Sequence, residues 1–333
     1  MDSTLPARLG PYAILERIGV GGMAEVHLAR RFGASGWEKR VALKTLRPER
    51  RGDAELERLL LAEARLGARF AHPGLIGVHD LGLADGIYYV CMDWIDGADL
   101  AALLAARPLP RALALLVGEQ LAATLAYVHA LTDASGRALG LVHRDVSPAN
   151  LLLSRAGAVK LGDFGIAKAT AEAERTWGRV RKGKYAYMAP EQITGGAITP
   201  AADLFAFGVT LHECLLGRRP FDGASPLALM EAVRTAALAP EHDFGDLDDE
   251  LVALLRRCLA RLPEDRPADA VALVHAIQAA RRRLPPVGTL ELAAWVGACL
   301  ASGGGPGGAG DGPGLARARA TETLALADDD LEP

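Results

Sequence analysis

The chemistry open to this chain is concentrated in His143-Arg144-Asp145-Val146-Ser147-Pro148-Ala149-Asn150 and, shortly after it, Asp163-Phe164-Gly165. A carboxylate such as Asp145 can take the proton of a hydroxyl as that oxygen attacks. The Asp163 carboxylate and the Asn150 amide oxygen suit a hard octahedral ion, whose remaining positions phosphate and water can fill. Together these groups are the parts of metal-assisted phosphoryl transfer, in which alignment and charge stabilisation do most of the work. Upstream, Gly19-Val20-Gly21-Gly22-Met23-Ala24-Glu25-Val26 forms a glycine loop whose backbone can turn tightly and offer amides to phosphate oxygens.

Positioning these residues requires a scaffold, and its period changes along the chain. Residues 12–18 and 25–30 read as strands on either side of the glycine loop. A third strand, 39–46, sets Val41, Leu43 and Thr45 on one face and Ala42 and Lys44 on the other. Residues 53–70, periodic in leucine, alanine and charge and free of proline, predict a helix carrying Glu63 and ending at His72-Pro73-Gly74. Segments 75–83 and 86–94 predict a strand pair turning at Ala84-Asp85-Gly86. From Leu100 the period is helical: 100–106, a long apolar helix at 111–131 fit for the centre of a core, then 200–216, 225–236, 248–260 and 268–282. Short strands at 151–153 and 159–161 flank Arg155-Ala156-Gly157.

With 333 residues, half of them hydrophobic (50%) and 23% charged, the chain can bury a substantial core as one large domain or two modest ones. The net charge of -4 arises from 37 basic and 41 acidic residues intermixed along the chain, which gives no electrostatic case for nucleic acid. Cys91, Cys214, Cys258 and Cys299 are widely spaced, arguing against a zinc ribbon or disulfide framework and for a reducing, cytoplasmic setting. The N-terminus, with Asp2 and no apolar run, does not read as a signal peptide. No membrane span is expected: residues 193–216 are broken by Gly195, Gly196, Pro200 and Asp203, and 290–300 is too short. Beyond Pro285-Pro286 and the tract from Gly303 to Gly308, residues 301–333 predict a flexible acidic tail.

From about residue 12 to 282 these motifs, in this order, resemble the bacterial eukaryotic-like (Hanks-type) serine/threonine protein kinases. The resemblance implies an α+β, two-lobed protein-kinase-like fold with a small β-rich N-lobe and a mainly helical C-lobe. The kinase domain would run over 12–283, with the N-lobe at about 12–92, a hinge at 93–96 and the C-lobe at 97–283; residues 1–11 would be an N-terminal extension and 284–300 a short C-terminal segment. The implied reaction is transfer of the ATP γ-phosphoryl to serine or threonine hydroxyls of a protein substrate, with Mg2+ or Mn2+, and with autophosphorylation between two kinase copies. Gly19, Gly21 and Gly22 would cover the phosphates. Lys44, in Val41-Ala42-Leu43-Lys44, would grip the α and β phosphates, paired with Glu63 or, as a minor competitor, Glu57. Asp145 is the implied base, braced by Arg144 and His143, and Asn150 and Asp163 are the implied metal ligands, with Phe164 packed inward. Adenine would meet hinge backbone at Asp93 and Ile95 between Val26, Ala42 and Leu152, with Met92 behind it. Asp99, or else Asp96, would contact the ribose. Glu191, in Met188-Ala189-Pro190-Glu191, would pair with Arg266, and Asp203 would brace the catalytic loop, both structural roles. Thr176, with Thr170 as alternative, would be a regulatory phosphorylation site held by Arg144 with help from Lys168.

The sequence departs from the family pattern at Ala24, in place of the third loop glycine, at Phe205 and Ala206, and more consequentially at Ser147 and Lys184. Many serine/threonine kinases carry a lysine at the position of Ser147, where its charge stabilises the transferring phosphoryl group; tyrosine kinases also lack it. Losing such a donor costs on the order of 3 kcal/mol, or roughly a hundredfold in rate, unless another cation replaces it. Lys184 or Arg181, among the cations of the later loop, could lend that charge. Lys184 also stands where the family usually has a threonine beside the substrate pocket. These departures motivate an alternative, a nucleotide-binding scaffold with little transfer activity, against which Lys44, Asp145, Asn150 and Asp163 all speak. A small-molecule phosphotransferase is disfavoured by the 183–191 segment and Arg266.

Overall fold

The alternation at Val41, Leu43 and Thr45 against Ala42 and Lys44 is that of a strand buried on both faces. The computed structural model, which describes residues 5–133, 135–164, 184–236, 238 and 242–302, has it as β4 (Glu38–Leu46). Around it β1 (Arg8–Leu9), β2 (Tyr12–Val20), β3 (Ala24–Phe32), β5 (Val78–Ala84) and β6 (Ile87–Asp93) form an antiparallel sheet in the order β1-β2-β3-β4-β6-β5. One face buries Val41 and Leu43 against Leu9, Tyr12, Ala29, Tyr89 and Cys91. The opposite face turns Ala42 and Lys44 inward.

Helix α1 (Ala54–Gly67) begins where the Asp53 carboxylate accepts hydrogen bonds from the amides of Glu55 and Leu56. Its Leu56, Leu59, Leu60 and Ala64 pack on Met23, Ala24, Leu46 and Val90 of the sheet. Glu63 follows Leu59 and Leu60 by four and three positions, so it shares their sheet-facing side. Asp85 and Gly86, both at positive φ (51° and 72°), make the tight β5–β6 turn expected at that place.

In the second lobe α3 (Arg111–His129) lies at the centre, packed by α5 (Ala201–Leu216) and α8 (Ala270–Arg281) through residues such as Leu121, Leu125, Phe207, Leu211 and Ile277. By length and composition α3 is the one helix among the described residues apolar enough to cross a membrane, and most of its apolar stretch is buried within the fold. Helices α2 (Leu100–Ala106), α4 (Pro190–Thr194), α6 (Pro226–Thr235), α7 (Asp249–Cys258) and α9 (Thr289–Ala301) complete the helical set. A small sheet, β7 (Gly97–Asp99), β8 (Leu151–Ser154) and β9 (Val159–Leu161), runs beneath the cleft.

Several expected boundaries shift for identifiable reasons. The strand expected from Leu75 starts at Val78, because Leu75 bridges to Leu161 and the Ile76 amide donates to the Leu161 carbonyl, tying this segment to the second lobe. The long helix stops at His129 because the Leu131 carbonyl accepts from the Leu139 amide in a small hairpin. Leu9, fully buried, joins the first sheet through β1, ahead of the expected start at residue 12.

The apolar stretch around 290–300 is the full helix α9, which buries Leu292, Trp295, Val296 and Cys299 in the C-lobe core, with the Trp295 indole donating to the Pro108 carbonyl at 3.2 Å. Gly157, at φ +78°, lets the β8–β9 turn touch the start of α9: a Cβ there would lie 2.0 Å from the Thr289 carbonyl oxygen. Gly157→Ala is therefore expected to destabilise the fold by about 2–4 kcal/mol, through left-handed strain and a backbone clash that only displacement of α9 relieves. Chemical denaturation measures it, with increased amide exchange in 289–301 as the accompanying sign. Thr170, Thr176, Lys168, Arg181 and the tail from residue 303 lie outside the described residues.

Candidate active site

Strand β4 and helix α1 bring Lys44 and Glu63 together: the Lys44 Nζ lies 2.7 Å from Glu63 Oε1 and 2.7 Å from Asp163 Oδ1. Glu57 takes no part; its carboxylate accepts the Gly52 amide at 3.1 Å. Burial alone would favour neutral Lys44, but the charges of Asp163 and Glu63 more than reverse this and raise it above the usual lysine value. Glu63 is pushed up by burial and by the neighbouring Asp163 and Asp145 charges, against the pull of Lys44. One ammonium thus serves two carboxylates.

The catalytic-loop residues are held from below. Asp203, fully buried near the start of α5, accepts from the His143 amide at 2.7 Å, the Arg144 amide at 2.8 Å and His129 Nε2 at 2.8 Å. These bonds fix Arg144 at φ 67°, a conformation rarely adopted by a residue with a side chain. His143 is buried, and that burial lowers its basicity against the opposing pull of the nearby Asp203 and Asp145 charges. Its Nδ1 accepts the Asp145 amide at 3.3 Å and its Nε2 donates to the Gly162 carbonyl at 3.2 Å. Phe164 packs inward between His143 and Phe70, both at 4.5 Å between ring centroids.

Asn150 is 3% exposed. Its Nδ2 donates to the Asp145 carbonyl at 2.7 Å, which fixes the amide, while its Oδ1 is buried and has no hydrogen-bond partner. A buried oxygen lacking a partner is costly unless something fills the role. The Asn150 carbonyl accepts the Gly162 amide at 2.9 Å, so Asn150 and Asp163, itself at φ 51°, are tied through adjacent backbone. Among the described residues no cluster of three or more His, Cys, Asp or Glu could enclose a metal. An amide oxygen and one carboxylate suit Mg2+ shared with phosphates better than a metal held by protein alone.

Val26, Ala42, Met92, Ile95 and Leu152, all named from the sequence as surroundings of the base, form one buried cluster. Ile76 completes it and Ile18 packs against it. These two escaped sequence reasoning, although Ile18 stands directly before Gly19. The Asp93 side chain turns away from the cluster: it accepts the Gly77 amide at 3.0 Å and meets His79 at 2.7 Å, leaving only its backbone for a hinge role. Asp99 caps α2 by accepting the Ala102 amide at 2.8 Å, and Asp96 lies 3.4 Å from Arg155. Gly21 closes the glycine turn by donating to the Ala24 carbonyl at 2.7 Å, and Gly19 pairs with Val26. Around Gly22 the space where a Cβ would sit is open.

On the far side of the cleft, Glu191 and Arg266 make a buried two-pronged pair at 2.7 and 2.8 Å. The pair anchors the segment that starts at Lys184. The Lys184 Nζ lies 2.8 Å from Asp145 Oδ2. Gln192 also went unnoticed in the sequence; its side chain accepts the Ala189 amide and donates to the Arg144 carbonyl, joining this segment to the catalytic loop.

A two-lobed fold with this cleft defines a protein kinase class of architecture, and the comparisons agree. Residues 12–278 match the protein kinase domain family, and the chain belongs to it. It is similar to the tyrosine-protein kinase MasK of Myxococcus xanthus, 40% identical over 277 residues, 81% of this chain and 43% of the relative. It also resembles the serine/threonine-protein kinase PknB of Mycobacterium leprae, 31% identical over 90% of this chain and 48% of that protein. The crystal structure of the Mycobacterium tuberculosis PknI kinase domain superposes with a TM-score of 0.58 at 27% identity, over 83% of this chain and 99% of that one. The chain thus spans less than half the length of these curated relatives.

Proposed function

We propose that the chain catalyses ATP-dependent phosphorylation of protein hydroxyls, chiefly serine and threonine, with autophosphorylation. The observation that carries this reading is Lys44 bound to both Glu63 and Asp163, beside a buried Asn150 Oδ1 that has no partner. In this reading Lys44 grips the α and β phosphates, the backbone of Gly19, Gly21 and Gly22 covers them, and Asn150 and Asp163 hold Mg2+, which neutralises phosphate charge when bound. Asp145 orients the acceptor hydroxyl and takes its proton, with Arg144 bracing the loop. Val26, Ala42 and Leu152 enclose adenine, the backbone of Asp93 and Ile95 meets its edge, and Asp99 reaches the ribose while capping α2. Thr176, with Thr170 as alternative, is the proposed autophosphorylation site, reached by a second kinase copy. The four cysteines are all buried and free, which supports a reducing, cytoplasmic setting.

A second reading, transfer to tyrosine, is favoured by Ser147 and by the name of the Myxococcus xanthus relative. Incubation with Mg2+, ATP and a basic acceptor protein, followed by phosphoamino-acid and peptide mass analysis, decides between them. Phosphoserine and phosphothreonine, with modification at Thr176, are expected. Phosphotyrosine alone would favour the second reading, and no incorporation would sink both.

A further inference from the structure

Ser147 brings no charge to the place where this chemistry needs one. It is 5% exposed, in extended backbone at φ -164°, ahead of Pro148. A hydroxyl there can donate one hydrogen bond but cannot neutralise a phosphoryl oxygen. Among the described residues a cation reaches the catalytic loop from elsewhere in the chain: Lys184 Nζ stands 2.8 Å from Asp145 Oδ2, with the lysine side chain 28% and the aspartate 12% exposed.

Lys184 is held on firm ground. It opens a single 3-10 turn, Lys184–Tyr187, in which Ala186 is fully buried against Ala202, Phe205 and Val209. Tyr187 is hydrogen-bonded to Glu213, and Glu191 is clamped by Arg266. A long side chain launched from such a base loses less entropy on reaching its partner than one on a loose loop.

We propose that Lys184 is a catalytic residue that replaces the catalytic-loop lysine missing at position 147, donating to Asp145 and to the transferring phosphoryl group at once. This rests on the kinase reading above. The acceptor oxygen must sit within hydrogen-bond reach of Asp145, and the phosphorus it attacks lies next to that oxygen. An ammonium 2.8 Å from the same carboxylate therefore borders the transferring group, and it has three donors, only one of which Asp145 needs. In the step itself the hydroxyl oxygen bonds to Pγ as the bond from Pγ to the β–γ bridging oxygen breaks. ADP leaves with that electron pair and the hydroxyl proton passes to Asp145. Lys184 moves no proton; it supplies charge where negative charge spreads over the phosphoryl oxygens.

The reciprocal substitution tests this on the full chain. Lys184→Met should lower kcat about a hundredfold with little change in the KM for ATP. Ser147→Lys combined with Lys184→Thr should recover to within about tenfold of the native kcat, a rescue that a merely structural lysine would not give. Thermal stabilisation by Mg2+ and ATP, retained in each variant, shows that the cleft has folded. A folded Lys184→Met with native kcat, or with raised kcat because the lysine only occluded Asp145, would overturn the assignment while leaving the kinase reading in place. A folded double variant no faster than Lys184→Thr alone would also overturn it. Absence of transfer by the native chain would remove the kinase reading and this assignment with it.

Discussion

Asp145→Asn is expected to lower phosphate incorporation by about 10²–10⁴-fold while the chain stays folded and still binds Mg2+ and ATP. The replacement keeps the size and planarity of the side chain. Several bonds that fix the loop do not use its carboxylate: the Asp145 amide donates to His143, its carbonyl accepts from Asn150, and Asp203 holds the two preceding amides. What disappears is the carboxylate that accepts the acceptor proton and pairs with Lys184. A carboxamide cannot take that proton near neutral pH, and its NH2 group would face the Lys184 ammonium if it rotated toward it. Initial-rate measurement with a protein acceptor reads the effect, and thermal shift with Mg2+ and ATP controls for folding. Incorporation within about fivefold of the native rate would sink the assignment of Asp145 and, with it, the reading of this loop.

The difference between what was legible in the sequence and what was not follows the range of the interactions. The resemblance implied the pairing of Lys44 with Glu63, and regular elements realise it: a strand and a helix each fix which way a side chain faces, with Leu59 and Leu60 on the buried side of α1. The residues that the resemblance implied around a nucleotide base, Val26, Ala42, Met92, Ile95 and Leu152, come together as one cluster. Asp203 announced its setting too, since an aspartate in a run as apolar as Leu204-Phe205-Ala206-Phe207 must find donors, and it has three. By contrast, His129 as one of those donors, Gln192 bridging to Arg144, and Lys184 meeting Asp145 depend on segments arriving from distant parts of the chain. Residue type and spacing do not encode such meetings. Nor did the glycine-loop reading foresee that Gly19, Gly21 and Gly22 are absent from the left-handed glycines of the described residues; Gly22 instead leaves open space beside the backbone.

The same distinction between local and distant partners makes Arg266 a sensitive stability position in the C-lobe, and Arg266→Ala is expected to cost about 3–5 kcal/mol. Its side chain is fully buried, and its donors satisfy both Glu191 oxygens at 2.7 and 2.8 Å together with the carbonyls of Ala201, Ala260 and Arg261. The guanidinium also lies 5.1 Å from the centre of the Phe205 ring. Truncation strands a buried Glu191 carboxylate and three carbonyls at once, and it leaves a void beside Phe205. For a domain of this size the loss corresponds to a fall of roughly 6–20 °C in Tm. Removing both charges together, as Glu191→Leu with Arg266→Met, should be milder than Arg266→Ala, because no charge is then left without a partner. Calorimetry and denaturant titration of the single and double variants measure both quantities; a single variant within 1 kcal/mol of native, taken as roughly the net worth of an exposed pair, would refute the burial argument. Since this pair anchors the segment beginning at Lys184, the single variant should also lose transfer rate below its melting temperature, whereas the double variant should keep more of it.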